Sequence, residues 1–335
     1  MIEQITCFEN FIQSYHNTQK GKAKHKASAF WFSQNCFHNL KLLQKQILEG
    51  TYVPSGYFSF EVLEPKRRLI YAPYYRDKIV QHLLNNVLRD HFEKKFIFHS
   101  YSCIRGKGHQ RAVKAIQKYQ SRFQGGYFIK MDIYKFFYSI DHQILKSILF
   151  KTIKCPHTLH LLFLLIDSSP TKGVGLPLGN LSSQLLANVY LNELDQFAKR
   201  GLGIKGYVRY ADDIFVFVAN KQAAQIVQQK LINFCIDKLK LSVATSKTYI
   251  HPARCYVSAL GFKIKPSHII LLSANKRRII RRCKSLVKKD IDFVNKSLTS
   301  WFSFAIISCC FHFVQSLCVR FGLVVRENKL QVSSI

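Results

Sequence analysis

Acidic residues are scarce in this chain of 335 residues, which carries 19 Asp and Glu against 50 Lys and Arg. The formal net charge of +31 makes the chain repel itself. A polyanionic partner is therefore indicated, with nucleic acid as the first candidate and membrane phosphates as the second. A hydrophobic content of 48% excludes a disordered basic tail and suits two or three packed subdomains around a sizeable core.

The sequence also lacks cysteine patterns that bind zinc. None of its ten cysteines forms a Cys-x-x-Cys pair or a tight cluster with histidine. Scattered thiols are typical of the reducing cytosol, and the first residues lack the basic and apolar regions of a signal peptide. We therefore expect a cytoplasmic protein without structural zinc.

One long stretch, 297–319, lacks formal charge altogether. Its length could span a bilayer. It also contains serines, a threonine, His312 and Gln315, which lower its hydropathy. A packed helix is therefore the favoured interpretation, and a membrane span the alternative.

Hydrophobic spacing predicts a helical beginning and a mixed centre. Leu40, Leu43 and Ile47 follow helical spacing, and Gly50 is a plausible stop. Residues 20–26 contain four lysines and no acid, which fits either a solvated arm or one that contacts phosphates. The other predicted elements are a hairpin over 57–72, a loop over 173–179, helices over 76–92 and 221–239, and strands over 127–132, 207–210, 214–218 and 256–264. A further helix is predicted to begin with Ser182 or Ser183 as its N-cap.

A basic amphipathic helix is predicted over 276–289. Eight of its fourteen residues are Lys or Arg and none is acidic. Its apolar face consists of Ile279, Ile280, Cys283, Leu286 and Val287. Such a helix suits a nucleic-acid backbone or a membrane surface.

The few carboxylates are placed informatively. Asp212-Asp213 is the only adjacent pair of acids, and it lies at a predicted turn between two apolar strands. Two carboxylates held together attract a cation, and Mg²⁺ prefers oxygen ligands. Asp132 ends another apolar strand and is the first acid after Glu93. Three such carboxylates could hold two metal ions about 4 Å apart, as nucleotidyl transfer requires; an ordinary polar turn is the alternative.

Four segments carry a resemblance to a known enzyme family. They are Arg76-Asp-Lys-Ile-Val-Gln81, Phe128-Ile-Lys-Met-Asp132-Ile-Tyr-Lys-Phe-Phe137, Gly175-Leu-Pro-Leu-Gly-Asn-Leu-Ser-Ser-Gln184 and Tyr210-Ala-Asp-Asp213. In that order they resemble the fingers motif, the first palm motif, the third conserved loop and the Tyr-x-Asp-Asp box of reverse transcriptases. The resemblance covers roughly residues 20–300.

This resemblance implies an α+β right-hand polymerase fold and RNA-directed DNA polymerase activity. The palm would be an antiparallel sheet with helices, and the thumb would be helical. The predicted domains are an N-terminal helical basic extension (1–56), fingers and palm (57–265) and thumb (266–335).

The resemblance also implies roles for individual residues. The metal site would comprise Asp132, Ile133, Asp212 and Asp213, with two Mg²⁺ ions for which Mn²⁺ could substitute. Lys247 would protonate the leaving pyrophosphate.

Nucleotide-binding residues would be Lys66, Arg67 and Arg68 at the triphosphate, Phe137 as the steric gate against a 2′-hydroxyl, and Leu178, Gly179 and Gln184. Primer and template contacts would be Tyr210, Leu260, Gly261, Phe262, Arg277 and Arg281. Each of these outside the three carboxylates could instead be an ordinary core or surface residue.

Pro177-Leu178-Gly179, followed by Ser183-Gln184, replaces the Pro-Gln-Gly and Ser-Pro of most intron-type enzymes. This variant resembles reverse transcriptases of diversity-generating retroelements, encoded by bacteria or phages. It implies error-prone copying of a template-repeat RNA at adenines, because leucine can form no hydrogen bond near the incoming nucleotide. The implied partners are template RNA, a DNA or RNA primer, dNTPs and a small basic oligomeric accessory protein. A retron-type, phage-defence or free-standing intron-type enzyme and a non-catalytic RNA-binding protein on a polymerase scaffold are the alternatives.

Overall fold

Helices and one hairpin form the first part of the chain. The computed structural model describes residues 1–20, 27–63, 67–286, 291–326 and 329–332. The elements up to residue 93 are α1 (Ile2–Thr6), α2 (Phe8–Thr18), α3 (Ala27–Gln34), α4 (Cys36–Leu48), β1 (Tyr57–Val62), β2 (Arg68–Pro73) and α5 (Tyr75–Glu93). Ile5, Phe11, Leu43 and Leu83 are buried in one core, which joins the N-terminal helices to α5. The predicted arm at 20–26 lies, apart from Lys20, outside the described residues.

A four-stranded antiparallel sheet forms the centre. The elements here are α6 (His109–Arg122), β3 (Tyr127–Asp132), α7 (Phe136–Ser139), α8 (His142–Thr152), α9 (Pro156–Asp167), α10 (Leu181–Gln196), β4 (Gly206–Tyr210), β5 (Asp213–Val218), α11 (Lys221–Leu239) and β6 (Tyr249–Pro252). The strand order is β4-β5-β3-β6. Side chains alternate between the faces of a strand, so Ile129 and Met131 enter the larger core, while Phe128 enters a second one. Asp132 shares the face of Phe128.

The start of α10 corrects a prediction. The helix begins at Leu181 after Asn180, and Ser182 and Ser183 are buried inside its first turn instead of capping it. The cap comes from another helix, because Gln81 Oε1 accepts a hydrogen bond from the Leu181 N–H at 3.1 Å. A cap supplied from a hundred residues away leaves no local sequence signal.

A second sheet connects the centre to the last helices. The elements are β7 (Val257–Ala259), β8 (Phe262–Ile264), β9 (Ile269–Leu271), α12 (Ser273–Leu286), α13 (Ile291–Ala305), α14 (Phe311–Phe321), β10 (Leu323–Arg326) and β11 (Lys329–Val332). Strands β7, β8 and β9 form one sheet, so the predicted border at 265/266 falls inside it. The region predicted to be a helical thumb also contains the β10–β11 hairpin.

The uncharged stretch 297–319 is divided between α13 and α14 instead of forming one helix. Leu298, Phe302, Ala305, Val314 and Leu317 from these two helices are buried in the second core. Among the described residues, no helix is both long enough and apolar enough to cross a membrane. Its buried apolar side chains share this core with Val257, Phe262 and Leu271 of the second sheet.

Candidate active site

Three carboxylates meet where β3 and β5 end. Asp132 lies directly opposite Asp213 in the register of these antiparallel strands. Tyr210 pairs with Asp213 across a turn made by Ala211 and Asp212. The Ile133 N–H donates to the Asp212 carbonyl oxygen at 3.4 Å, which fastens this turn to the end of β3. The structure thus brings together the three acids singled out in the sequence.

Negative charge accumulates at this point. Burial raises the pKa of Asp212, and the carboxylates of Asp213 and Asp132 raise it further. Burial also raises the pKa of Asp213, an effect that Asp132 strengthens and Lys130 opposes. A carboxylate with a raised pKa gains most from a nearby cation.

Two lysine amines supply that positive charge in the structure. Lys247 Nζ donates to both oxygens of Asp132, at 2.8 and 2.9 Å, and its pKa is raised by this hydrogen bond. Lys130 Nζ lies 3.7 Å from Asp213 Oδ1. As they stand, no three His, Cys, Asp or Glu side chains in the described ranges are arranged to hold a metal ion.

The donor set nevertheless suits a divalent cation. Carboxylate oxygens are the ligands that Mg²⁺ prefers, and Asp132, Asp212 and Asp213 supply them on adjacent strands and one turn. Both lysine amines end flexible stems and could move away as a cation enters. Ile133 is buried and could offer only its carbonyl oxygen, so its predicted role stays a prediction.

The loop over residues 173–179 is hydrogen-bonded both to the predicted steric gate and to the β1–β2 hairpin. The Leu176 N–H donates to the Phe137 carbonyl oxygen at 2.7 Å, and the Tyr71 N–H donates to the Leu178 carbonyl oxygen at 2.9 Å. Phe137 and Leu178 are both partly buried, whereas Gln184 is exposed on α10. The predicted nucleotide-side residues of this loop therefore lie between α7 and β2.

The predicted triphosphate cluster is only partly assembled. Arg67 is exposed and makes a two-pronged ion pair with Glu61, with Nη2 at 2.9 Å from Oε1. Arg68 is exposed at the start of β2. Lys66 lies outside the described residues. Arg67 must exchange Glu61 for phosphate oxygens if it is to bind a nucleotide.

The predicted primer-side residues lie at the second sheet. Leu260 and Gly261 form the tight β7–β8 turn with φ angles of 50° and 89°, and Phe262 is buried behind them. The Gly261 carbonyl oxygen accepts hydrogen bonds from the Asn275 side chain and the Leu272 N–H, both at 3.0 Å. Tyr210 is partly buried at the end of β4. A positive φ at leucine is a strained conformation.

The predicted basic helix has the expected two faces over its described part, α12. Ile279 and Cys283 are buried, while Arg277 and Arg281 are exposed. The last residues of the prediction, 287–289, lie outside the described ranges. The exposed arginines can therefore meet a phosphate backbone without unpacking the helix.

Sequence reasoning missed Lys130 and Arg209. Lys130 lies two positions before Asp132 on the same strand face, and its Nζ also donates to the Ser258 carbonyl oxygen at 3.1 Å. Arg209 is fully buried against Asp195. Two signals were available in the sequence. Lys130 lies two residues before Asp132, which places both on one face of the strand, and Arg209 is an isolated charge in an apolar strand.

Residues 64–264 match the protein-family profile described as reverse transcriptase (RNA-dependent DNA polymerase). This match covers more than half of the chain and includes all three carboxylates. The chain belongs to the reverse transcriptase family. The resemblance seen in the sequence is therefore confirmed at the family level.

Curated relatives of this chain are distant. The chain is 23% identical to the group II intron-encoded protein LtrA of Lactococcus lactis subsp. cremoris, a match over 68% of this chain and 49% of LtrA. It is 24% identical to protein YkfC of Escherichia coli, over 63% of this chain and 67% of YkfC. The chain thus spans about half the length of LtrA.

Solved structures of similar shape include telomerases. The apo telomerase from Candida tropicalis superposes with a TM-score of 0.54 at 10% identity, over 81% of this chain and 59% of the telomerase chain. At that identity the likeness concerns the fold alone. It confirms the predicted α+β right-hand polymerase fold.

Proposed function

We propose that this chain extends a DNA or RNA primer with dNTPs on an RNA template. The observation that carries the proposal is the pairing of Asp132 with Asp213 across β3 and β5, with Asp212 on the adjoining turn. Two Mg²⁺ ions, or Mn²⁺ in their place, would activate the primer 3′-hydroxyl and neutralise the leaving pyrophosphate. Asp132 and Asp212 would be their main ligands and Asp213 a weaker one.

The neighbouring side chains would orient the nucleotide. Phe137 would fill the space of a 2′-hydroxyl and so select deoxynucleotides. Arg67 and Arg68 would bind the triphosphate, since a guanidinium suits phosphate oxygens. Lys247, already placed at Asp132, would donate a proton to pyrophosphate.

Three regions would divide the remaining work. We propose an N-terminal extension over 1–56, fingers and palm over 57–265, and a thumb from 266 onward that shares the β7–β9 sheet with the palm. Leu260, Gly261, Phe262 and Tyr210 would position the primer end. Arg277 and Arg281 on α12 would follow the backbone of the RNA–DNA hybrid, which proteins recognise by shape and phosphates.

Primer extension on an RNA template tests this function. Asp212→Asn should lower the rate by about a thousandfold or more, because removal of a metal ligand forfeits several kcal/mol of transition-state stabilisation. Asp237→Asn, an exposed acid on α11, is the matched control and should leave the rate unchanged. Activity that survives Asp212→Asn would overturn the metal assignment.

We further propose that the enzyme belongs to a diversity-generating retroelement of a bacterium or phage and acts in the cytoplasm. The Pro177-Leu178-Gly179 variant supports this assignment. The enzyme would copy a template-repeat RNA with errors at adenines, for mutagenic retrohoming, with a small basic oligomeric accessory protein. A near-duplicate template and variable repeat in the flanking DNA would support the assignment, and their absence would favour a retron-type or phage-defence role.

A further inference from the structure

A buried ion pair lies next to the turn that carries Asp212. Arg209 and Asp195 are both fully shielded from solvent. Arg209 Nε donates to Asp195 Oδ1 at 2.8 Å, and Nη2 donates to Oδ2 at 2.7 Å. The Tyr207 hydroxyl donates to the same carboxylate at 2.8 Å. A two-pronged pair fixes the plane of the guanidinium as well as its charge.

The remaining guanidinium nitrogen reaches the turn itself. Arg209 Nη1 donates to the Ala211 carbonyl oxygen at 3.1 Å and to Asn188 Oδ1 at 3.0 Å. The Asn188 amide in turn donates to the Ser102 carbonyl oxygen at 2.9 Å. Arg209 therefore joins the turn to α10 and to the segment before α6. An arginine that only neutralised Asp195 would not need these two further bonds.

The turn needs such support because its backbone is strained. Ala211 has a φ of 54°, in the left-handed region that disfavours residues with a Cβ atom. The Ala211 carbonyl belongs to the planar peptide that continues into Asp212. A hydrogen bond to this carbonyl thus fixes the orientation of the peptide from which the Asp212 side chain departs.

We propose that Arg209 is a positioning residue for the catalytic turn. Anchored by Asp195, it holds the Ala211–Asp212 peptide in its left-handed conformation and so directs Asp212 toward Asp132. This inference rests on the proposed polymerase function, because Asp212 is catalytic only under that function. Arg209 itself is assigned no contact with substrate. The backbone strain at Ala211 should therefore be energetically coupled to the hydrogen bond that Arg209 Nη1 donates to the Ala211 carbonyl oxygen.

A double-mutant cycle between Arg209→Lys and Ala211→Gly tests the coupling. Lysine keeps the charge opposite Asp195 but lacks the planar fork needed to reach the turn as well. We expect R209K to lower kcat by about 10- to 100-fold with little change in the KM for dNTP, because the turn is misplaced while the nucleotide site is intact. Glycine adopts positive φ without a Cβ penalty, so A211G should raise the kcat of R209K by a factor about fivefold larger than its effect in the wild-type background.

Two further measurements keep the result interpretable. Arg89→Lys, in the Arg89–Glu93 pair on α5, is the matched control and should show no coupling to A211G. If R209K does not fold, as judged by circular dichroism, the same cycle is run on Asp195→Asn, where the anchor is weakened. Equal effects of A211G in both backgrounds would overturn the positioning role. Wild-type primer extension in the same assay reports on the proposed function separately.

Discussion

Gly179 shows how one residue fixes the backbone of the loop over residues 173–179. Its φ is 111°, and a Cβ atom there would lie 2.8 Å from Ile70 Cγ2 and 3.1 Å from the Tyr71 carbonyl oxygen. Only glycine permits this approach to β2. The close packing, with the hydrogen bond from Tyr71 to Leu178, fixes the backbone of Leu178 beside the hairpin.

Leu178→Gln tests whether this position sets fidelity. We expect misincorporation at template adenines to fall by about tenfold, because a glutamine amide adds a hydrogen bond worth roughly 1.4 kcal/mol of discrimination. Deep sequencing of cDNA copied from a defined RNA measures the error rate. Leu178→Met, of similar volume and without the amide, should keep the original error rate. No gain in fidelity for the glutamine variant would argue against the role of Leu178.

At the scale of elements, α12 buries apolar side chains on one face and exposes basic side chains on the other. Ile279 and Cys283 pack into the second core, and the helix contains no acidic residue. Its arginines are therefore free of acidic neighbours on their own helix. This arrangement favours a polyanion along the exposed face.

Replacing Arg277 and Arg281 with glutamine should weaken binding of an RNA–DNA hybrid and make it less dependent on salt. Each lost phosphate contact reduces the slope of log affinity against log salt by about 0.9, so the slope should fall by about 2. Filter binding between low and physiological salt measures it. Gln at the exposed Lys221 and Lys230 of α11 removes the same charge elsewhere and should change the slope less. Equal changes would show that only net charge matters.

At the scale of the whole molecule, a strong positive charge surrounds several half-buried histidines. The two ring nitrogens of His99 are hydrogen-bonded to the hydroxyls of Tyr101 and Tyr119, each at 2.9 Å. Burial lowers the pKa of His99 to about 4, and the positive field of Lys199, Lys107 and Lys118 lowers it further. Its protonation therefore opposes folding.

The pH dependence follows from this direction. Between its unfolded pKa of about 6.5 and the folded value of about 4, the unfolded chain binds more protons at His99, so stability should fall as the pH falls through that window. His99→Gln removes the titration. We expect its melting temperature to be lower than that of wild type at pH 7.5 but to decrease less between pH 7 and pH 5. Parallel curves for the two proteins would refute this contribution of His99.

Much of the fold could be predicted where the signal is local. Periodic apolar residues indicated α5, β3 and the hairpin of β4 and β5, because these elements bury one face or are wholly apolar. The cap of α10 could not be predicted, since Gln81 comes from another helix. The division of 297–319 into two helices was missed because both halves are apolar on the face that packs against the second sheet.

The sequence by itself singled out three carboxylates in a chain poor in acids, on strands whose apolar pattern is local, and an excess of positive charge. Only the tertiary structure decided which basic side chain pairs with which acidic one. Lys247 meets Asp132 and Lys130 meets Asp213, while Arg67 is held by Glu61. It also placed Arg209 in hydrogen-bonding contact with the Ala211 carbonyl oxygen and with Asp195 and Asn188, which lie on a different element. Side-chain pairing across elements depends on register and packing, and neither is written in the spacing of residues along the chain.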